Sequence, residues 1–367
     1  MLSVPLAAPV FIASAAVIGV AGIRMTRVAD HLADRTGLGE ALVGALFVGG
    51  ATSLPGLMTT VFAARDGLPT LSVSNAVGGI AVQTLWLVIG DLIWRRANLE
   101  HAAASPENLL QGALLISLLS LPLLAMNAPP IAIGGVLHPV SPLLVATWIL
   151  GMRMVRSVGR SPMWKAAPTS DTVADDPEVV DRSIPIRNLW IRFLGLSALL
   201  GGAGYTLARS ASALTRQTIL SESVMGGVFT AAASSLPELV VVVTAVRTGA
   251  HTMAVSNIIG GNALDTLFLS AADVSFARGS IYHAISPNQE LFLILTILMT
   301  SILLAGQVRR QRSGWWRIGF GSVLILAICI RRIVPRVPTH DRSGPKLADG
   351  DGSFTHRTPD AGSDRCQ

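Results

Sequence analysis

Apolar residues in this chain run in blocks of about twenty, rather than in the one-sided stripe of a helix lying on a soluble core. Ten blocks stand out, near residues 5–23, 41–64, 71–94, 108–126, 130–152, 188–208, 221–246, 252–275, 288–306 and 315–334. A helix needs roughly 20 apolar residues to cross a bilayer, and it satisfies its own backbone where no water can. The pattern predicts an all-α polytopic membrane protein with about ten transmembrane helices. Nothing basic precedes the first block, so residues 5–23 are expected to be a retained helix and not a cleaved signal. Composition agrees, with 51% hydrophobic and 14% charged residues and a mean hydropathy of +0.56. An ordinary soluble enzyme is excluded.

Polar residues gather between the blocks and in two longer stretches. Residues 153–187 hold prolines, serines and the acidic cluster Asp171, Asp175, Asp176, Glu178 and Asp181. They are expected to be a cytoplasmic linker between a first half, 1–152, and a second, 188–335. The cluster lacks the residue order of a calcium-binding loop, so it reads as a solvated linker. Residues 336–367 have little to bury and are expected to be a disordered tail. With the N terminus outside, alternate loops put 17 Lys and Arg on the cytoplasmic side, against Arg65, Arg209, Arg216 and Arg278 outside. That is the asymmetry the positive-inside rule demands. The other seven sit in or beside the tail, which ten spans would put outside, against the rule. Orientation thus accounts for the net charge of +6, and no nucleic-acid module accompanies it. Cys329 and Cys366 suggest neither a disulfide framework nor a metal site.

The blocks repeat. Residues 40–91 align without a gap on 222–273 at an offset of 182, and 23 of the 52 pairs are identical. If each half contributes five helices, an odd number, the second begins on the opposite face of the membrane and the repeats are inverted. Such repeats form a central site from interrupted helices. Both copies carry the interruption, as Thr52-Ser53-Leu54-Pro55 and Ser234-Ser235-Leu236-Pro237. A proline removes a backbone donor and clashes with the carbonyl four residues back, while the hydroxyls add neutral oxygen ligands. Glu238 follows Ser234 by four residues and so shares its helical face.

A second motif follows, Ser74-Asn75-Ala76-Val77-Gly78-Gly79 with Gln83, matched by Ser256-Asn257-Ile258-Ile259-Gly260-Gly261 with Asp265. Glycines let helices approach closely. That approach is expected to bring Asn75, Gln83, Asn257 and Asp265 against the kinks, as oxygen ligands suited to Na⁺ or Ca²⁺. Plain small-residue packing explains the glycines but not Asp265, since carboxylates within a membrane are costly and usually functional. The copies differ where it matters: Gly56 faces Glu238, and Gln83 faces Asp265. Asp91 and Asp273 also match, roughly 12 Å further along a helix at its usual rise, and are expected to be interfacial anchors and not ligands.

The two motifs, GATSLPG with SNAVGGIAVQ and AASSLPE with SNIIGGNALD, resemble the α-repeats of sodium/calcium exchangers in the cation/calcium antiporter superfamily. The resemblance implies an inverted-repeat antiporter that alternately exposes one central site, usually to Na⁺ and Ca²⁺. It carries ion-site or adjacent positions onto Thr52, Ser53, Asn75, Gln83, Ser234, Ser235, Glu238, Asn257 and Asp265. Gly56 departs from the family's first-repeat acid, and Gly79 and Gly261 from its serines. Two acids can neutralise one Ca²⁺ or two Na⁺, and a proton is the alternative to Na⁺ because burial favours a neutral carboxyl.

The expected function is secondary cation antiport around Glu238 and Asp265. The alternatives are a cation/proton exchanger of the same fold and a non-transporting scaffold or ion sensor. No Walker A pattern and no nucleophile with its base is found, so neither ATP-driven transport nor enzymatic activity is expected. No cofactor is expected, and the partners are inorganic cations and lipid, without nucleic acid. Oligomeric state is left open. The arginine-rich, alanine- and glycine-rich composition points to a bacterial inner membrane.

Overall fold

The computed structural model describes residues 3–36, 50–94, 98–103, 105–131, 133, 137–160, 185–249, 251–309 and 323–325. Among these, regular structure is helical apart from an isolated bridge between Ile133 and Leu137. The first half contains α1 (Val4–Thr36), the short α2 (Gly50–Thr52), α3 (Leu54–Arg65), α4 (Pro69–Ile93), α5 (Leu99–Ala102), α6 (Pro106–Asn127) and α7 (Val140–Arg160). The second contains α8 (Ile186–Gln217), α9 (Glu222–Val224), a π-helical turn (Met225–Thr230), α10 (Ala231–Ser234) and α11 (Leu236–Thr248). It continues with α12 (His251–Asp265), α13 (Leu267–Ser275), α14 (Ile281–Ala284) and α15 (Asn288–Arg309).

Among the described residues, five helices are individually long and apolar enough to cross a membrane, and 222–234 with 236–247, bent by 48°, make a sixth if counted as one span. Large apolar side chains face outward, among them Ile12, Leu124, Ile191 and Leu194, each more than 60% exposed. An outer surface of that kind suits lipid and not water. Polar residues carry α1 and α8 well beyond their apolar blocks, to Thr36 and Gln217. The block expected as a helix from 130 becomes helical only at Val140. Pro129, Pro130 and Pro139 deny the preceding stretch backbone donors, and its described residues 129–131, 133 and 137–139 are not helical. At its other end α7 runs to Arg160, past the expected boundary at 152. Most of the expected linker, the block at 315–334 except 323–325, and the tail lie outside the described residues.

Packing exchanges partners between the halves. Helix α3 of the first half lies on α8 of the second, and α11 of the second lies on α1 of the first. The contacts are made by a matched pair of glycines, since 22 and 204 differ by the same 182. A Cβ at Gly204 would stand 2.7 Å from the Pro55 backbone, and one at Gly22 would run into the Pro237 ring. Each long outer helix therefore lays a glycine on the kink proline of the other half. In the centre α4 crosses the π-helical turn, where a Cβ on Gly78 would be 2.5 Å from the Gly227 Cα. A buried apolar cluster shared by both halves includes Ile80, Leu87, Leu115, Leu118, Val242, Ile258 and Leu269.

Candidate functional site

Both kinks fall where the prolines predict, at Ser53 between α2 and α3 and at Ser235 between α10 and α11. The Ser235 carbonyl is reached from the side by the Trp86 indole N–H, at 3.0 Å. Where the kinks meet α4 and α12 they enclose a cavity of about 10 Å³, close to the least space that holds one water molecule. The first half lines it with Ser53, Gly56, Asn75, Gly79 and Gln83, and the second with Ser234, Ser235, Glu238, Asp265 and Phe268.

Seven of the nine expected residues thus share one small space. Thr52 lies behind it, its hydroxyl beside the Glu238 carboxylate. Asn257 does not line it and is half-buried on α12. The reason lies in the partner helix. Its counterpart Asn75 is held in the site by donating to the Gly56 carbonyl at 3.1 Å and to the Thr60 hydroxyl at 2.9 Å. In the second copy the position of Thr60 is Val242, which has no hydroxyl to hold an amide.

The Gln83 amide donates to Asp265 Oδ2 at 2.6 Å and more weakly to the Ser235 hydroxyl at 3.4 Å. One interaction therefore ties the two matched positions across the halves. Glu238 and Asp265 are only 4% and 3% exposed and near enough to repel each other. Both Glu238 oxygens, Asp265 Oδ1, Gln83 Oε1 and Asn75 Oδ1 lack a hydrogen bond of good geometry. Every one is an acceptor, whereas buried polar atoms are as a rule paired. Such a group of inward oxygens around two carboxylates is chemically suited to a cation or to protons, not to an anion.

The matched aspartates are elsewhere and structural. Asp91 Oδ1 accepts from Leu99 N at 2.7 Å, and Asp273 Oδ1 from Ile281 N at 3.0 Å, in each case eight residues on. Asp273 Oδ2 also takes His138 N and the Ser141 hydroxyl. Glu222 accepts from Leu71 N, while Glu40 lies outside the described residues. The aromatic pair at the site, Trp86 and Phe268, went unread in the sequence. Its signal was the repeat offset, which puts an aromatic residue three positions beyond Gln83 in one copy and beyond Asp265 in the other.

Fold and cavity together define a class: a polytopic helical transporter in which, among the described residues, two related halves meet at an acidic cavity. The family model for sodium/calcium exchanger proteins matches residues 6–153 and 188–331, and the chain belongs to that family, which makes it a membrane cation antiporter. An uncharacterised membrane protein of Methanocaldococcus jannaschii is 24% identical over 308 residues, covering 83% of this chain and 91% of the relative. The inner membrane protein YrbG of Escherichia coli is 25% identical over 282 residues, covering 75% and 82%. Among solved structures, the H⁺/Ca²⁺ exchanger CAX superposes with a TM-score of 0.66 at 14% identity, over 90% of this chain and 82% of that one. The sodium-calcium exchanger NCX_Mj, soaked with Na⁺ and Sr²⁺, gives 0.55 at 19% identity, over 91% and 99%. Both likenesses are of fold.

Proposed function

We propose that the protein exchanges one divalent cation, Ca²⁺ first, for two monovalent ions at the cavity between Glu238 and Asp265. The observation that carries this reading is the set of five acceptor oxygens that lack a well-formed hydrogen bond, on four residues lining the same cavity, two of them buried carboxylates. With the Ser53 and Ser235 hydroxyls they make seven candidate ligands, within the six to eight oxygens that Ca²⁺ takes. Thr52 and Ser234 support the kinks, and Asn257, on α12 with Asp265 but outside the cavity, is not a ligand.

Charge sets the stoichiometry. The cavity holds at most two negative charges, so one Ca²⁺ or two monovalent ions discharge it, and exchange is electroneutral. Na⁺ is the first coupling ion, as the family's name suggests. Exchange for H⁺ is the second reading, favoured by Gly56: without a third carboxylate, two protons neutralise the site and need no further ligands. The halves 1–152 and 188–335 act as its two walls, and movement of α1 and α8 over the kinks alternates access. The plasma membrane is the proposed location, in keeping with the Escherichia coli relative, an inner membrane protein.

Ca²⁺ uptake into proteoliposomes under an imposed Na⁺ gradient, then under a proton gradient, tests the reading. Glu238→Gln and Asp265→Asn should each reduce flux to background while the purified protein keeps its Tm. Wild-type uptake that neither gradient drives, or that survives loss of either carboxylate, would refute it.

A further inference from the structure

Gly56 takes the position of an acid in the second copy, yet the room for that acid is not empty. A Cβ built on Gly56 would lie 3.2 Å from Phe268 Cε2 and 3.7 Å from the Ser234 hydroxyl. Helix α13 packs on α3, and Phe268, 7% exposed, presents its ring edge to this wall of the cavity. We propose that Phe268 is a specificity-determining residue that fills the volume of the missing carboxylate and makes the site favour small divalent cations over larger ones. The inference rests on the cation-exchange reading above.

The two copies explain how the ring comes to be there. Trp86, the counterpart of Phe268, donates its indole N–H to the Ser235 carbonyl at the second kink. That bond holds the indole against backbone, and Glu238 keeps its room. Phenylalanine has no donor with which to make the equivalent bond. Both kink carbonyls also accept the backbone N–H four residues on, Ser53 from Leu57 at 3.0 Å and Ser235 from Leu239 at 3.4 Å, so the side-chain donor of Trp86 is what the second kink has and the first lacks. Packing alone then positions the Phe268 ring, and the open face is the one without a side chain, at Gly56. The ring brings an apolar, electropositive edge to a wall that would otherwise supply oxygen. Loss of the acid and the presence of Phe268 are two sides of one change, and reversing either alone leaves the site mismatched.

The test measures ion preference in proteoliposomes containing the full-length protein, with Ca²⁺, Sr²⁺ and Ba²⁺ as competing probes. Phe268→Ala should raise the Ba²⁺ to Ca²⁺ flux ratio at least about threefold, because larger ions gain space; lost packing alone would slow all three equally. Gly56→Glu alone should cut Ca²⁺ flux at least about tenfold, and Phe268→Ala in the same chain should restore it with tighter Ca²⁺ binding than Phe268→Ala alone. Gly56→Asp, which is shorter, repeats the comparison. An unchanged ion ratio in Phe268→Ala overturns the proposal, as does an effect of Gly56→Glu that is the same with and without the ring. Absence of any cation flux in the wild type would instead overturn the exchange reading on which the proposal rests.

Discussion

Replacing Gly78 by alanine adds a methyl group where the backbone of α4 lies directly against the backbone of the π-helical turn. Its Cβ would stand 2.5 Å from the Cα of Gly227, 2.6 Å from its oxygen and 2.9 Å from its carbonyl carbon. Ordinary contact begins at 3.4 Å, so α4 and the π-helical turn must part by about 0.9 Å. Both sides of the clash are backbone, and no rotamer change relieves it. Forcing extra volume into a packed interior costs about 1–3 kcal/mol, and here the upper end applies. Against this, alanine in mid-helix gains about 0.5–1 kcal/mol over glycine. The clash therefore wins by about 2 kcal/mol. For a large domain each kcal/mol moves Tm by about 2–4 °C, so thermal unfolding in detergent, followed by tryptophan fluorescence, should show a fall on the order of 5 °C. Gly202→Ala is the control, since a Cβ there meets nothing within 4 Å. It should leave Tm unchanged or raise it. If Gly78→Ala matched this control, the close crossing of α4 over the turn would be wrong.

Two other substitutions separate structural acids from the site. Asp273→Asn sets an amide against donors now held by a fully buried carboxylate, from His138, Ser141 and Ile281. Leaving such groups unpaired costs about 1–3 kcal/mol each. The variant should lose several degrees of Tm, more than Asp91→Asn, with its ion preference intact; altered preference at unchanged Tm would make Asp273 a ligand. Arg209→Ala removes an ion pair in which one guanidinium nitrogen, Nη1, donates to both Asp66 carboxylate oxygens at 2.9 Å, with side chains 45% and 21% exposed. Exposed pairs contribute at most about 1 kcal/mol, so Tm should fall by no more than a few degrees, and by less in high salt. A larger, salt-independent loss would contradict the exposure of this pair.

Much of this was written in the sequence because the chain is its own comparison. A constant offset of 182 identified both kinks, both glycine pairs and the two unmatched acids, and the structure gathers seven of the nine residues so chosen around one cavity. Asn257 escaped that logic. Its identity matches Asn75, but its helix partner does not, and position in a motif says nothing about the side chain across from it. Helix limits were misread for a related reason. Hydropathy reports which residues avoid water, so it stopped α1 and α8 short of their polar ends and extended α7 into an apolar but proline-broken connection. Phe268 was the most consequential omission. An aromatic residue in an apolar helix reads as lipid-facing, and only a contact between halves reveals that it lies against Gly56.

The matched glycines of the outer helices yield a prediction about motion. Access can alternate only if α1 and α8 shift across the kinks, and each crosses at a residue with no side chain. The contacts are with Pro237 and with the backbone of Pro55, the residues that shape the walls of the site. Gly204→Ala puts a methyl group 2.7 Å from the Pro55 Cα and oxygen, where a ratchet-like obstacle would stand in the path of a sliding helix. The clash should lower the resting Tm, as at Gly78, but because Gly204 touches no ligand oxygen the Ca²⁺-induced rise in Tm should be largely kept while the exchange rate falls at least about tenfold. Gly22→Ala should do the same from the other half, against a proline ring that can yield a little, and so more mildly. The measurement pairs flux in proteoliposomes with the Ca²⁺-induced rise in Tm, one reporting turnover and the other occupancy. Variants that lost occupancy and turnover in proportion would show that these glycines only hold the site together, and that α1 and α8 do not move past it.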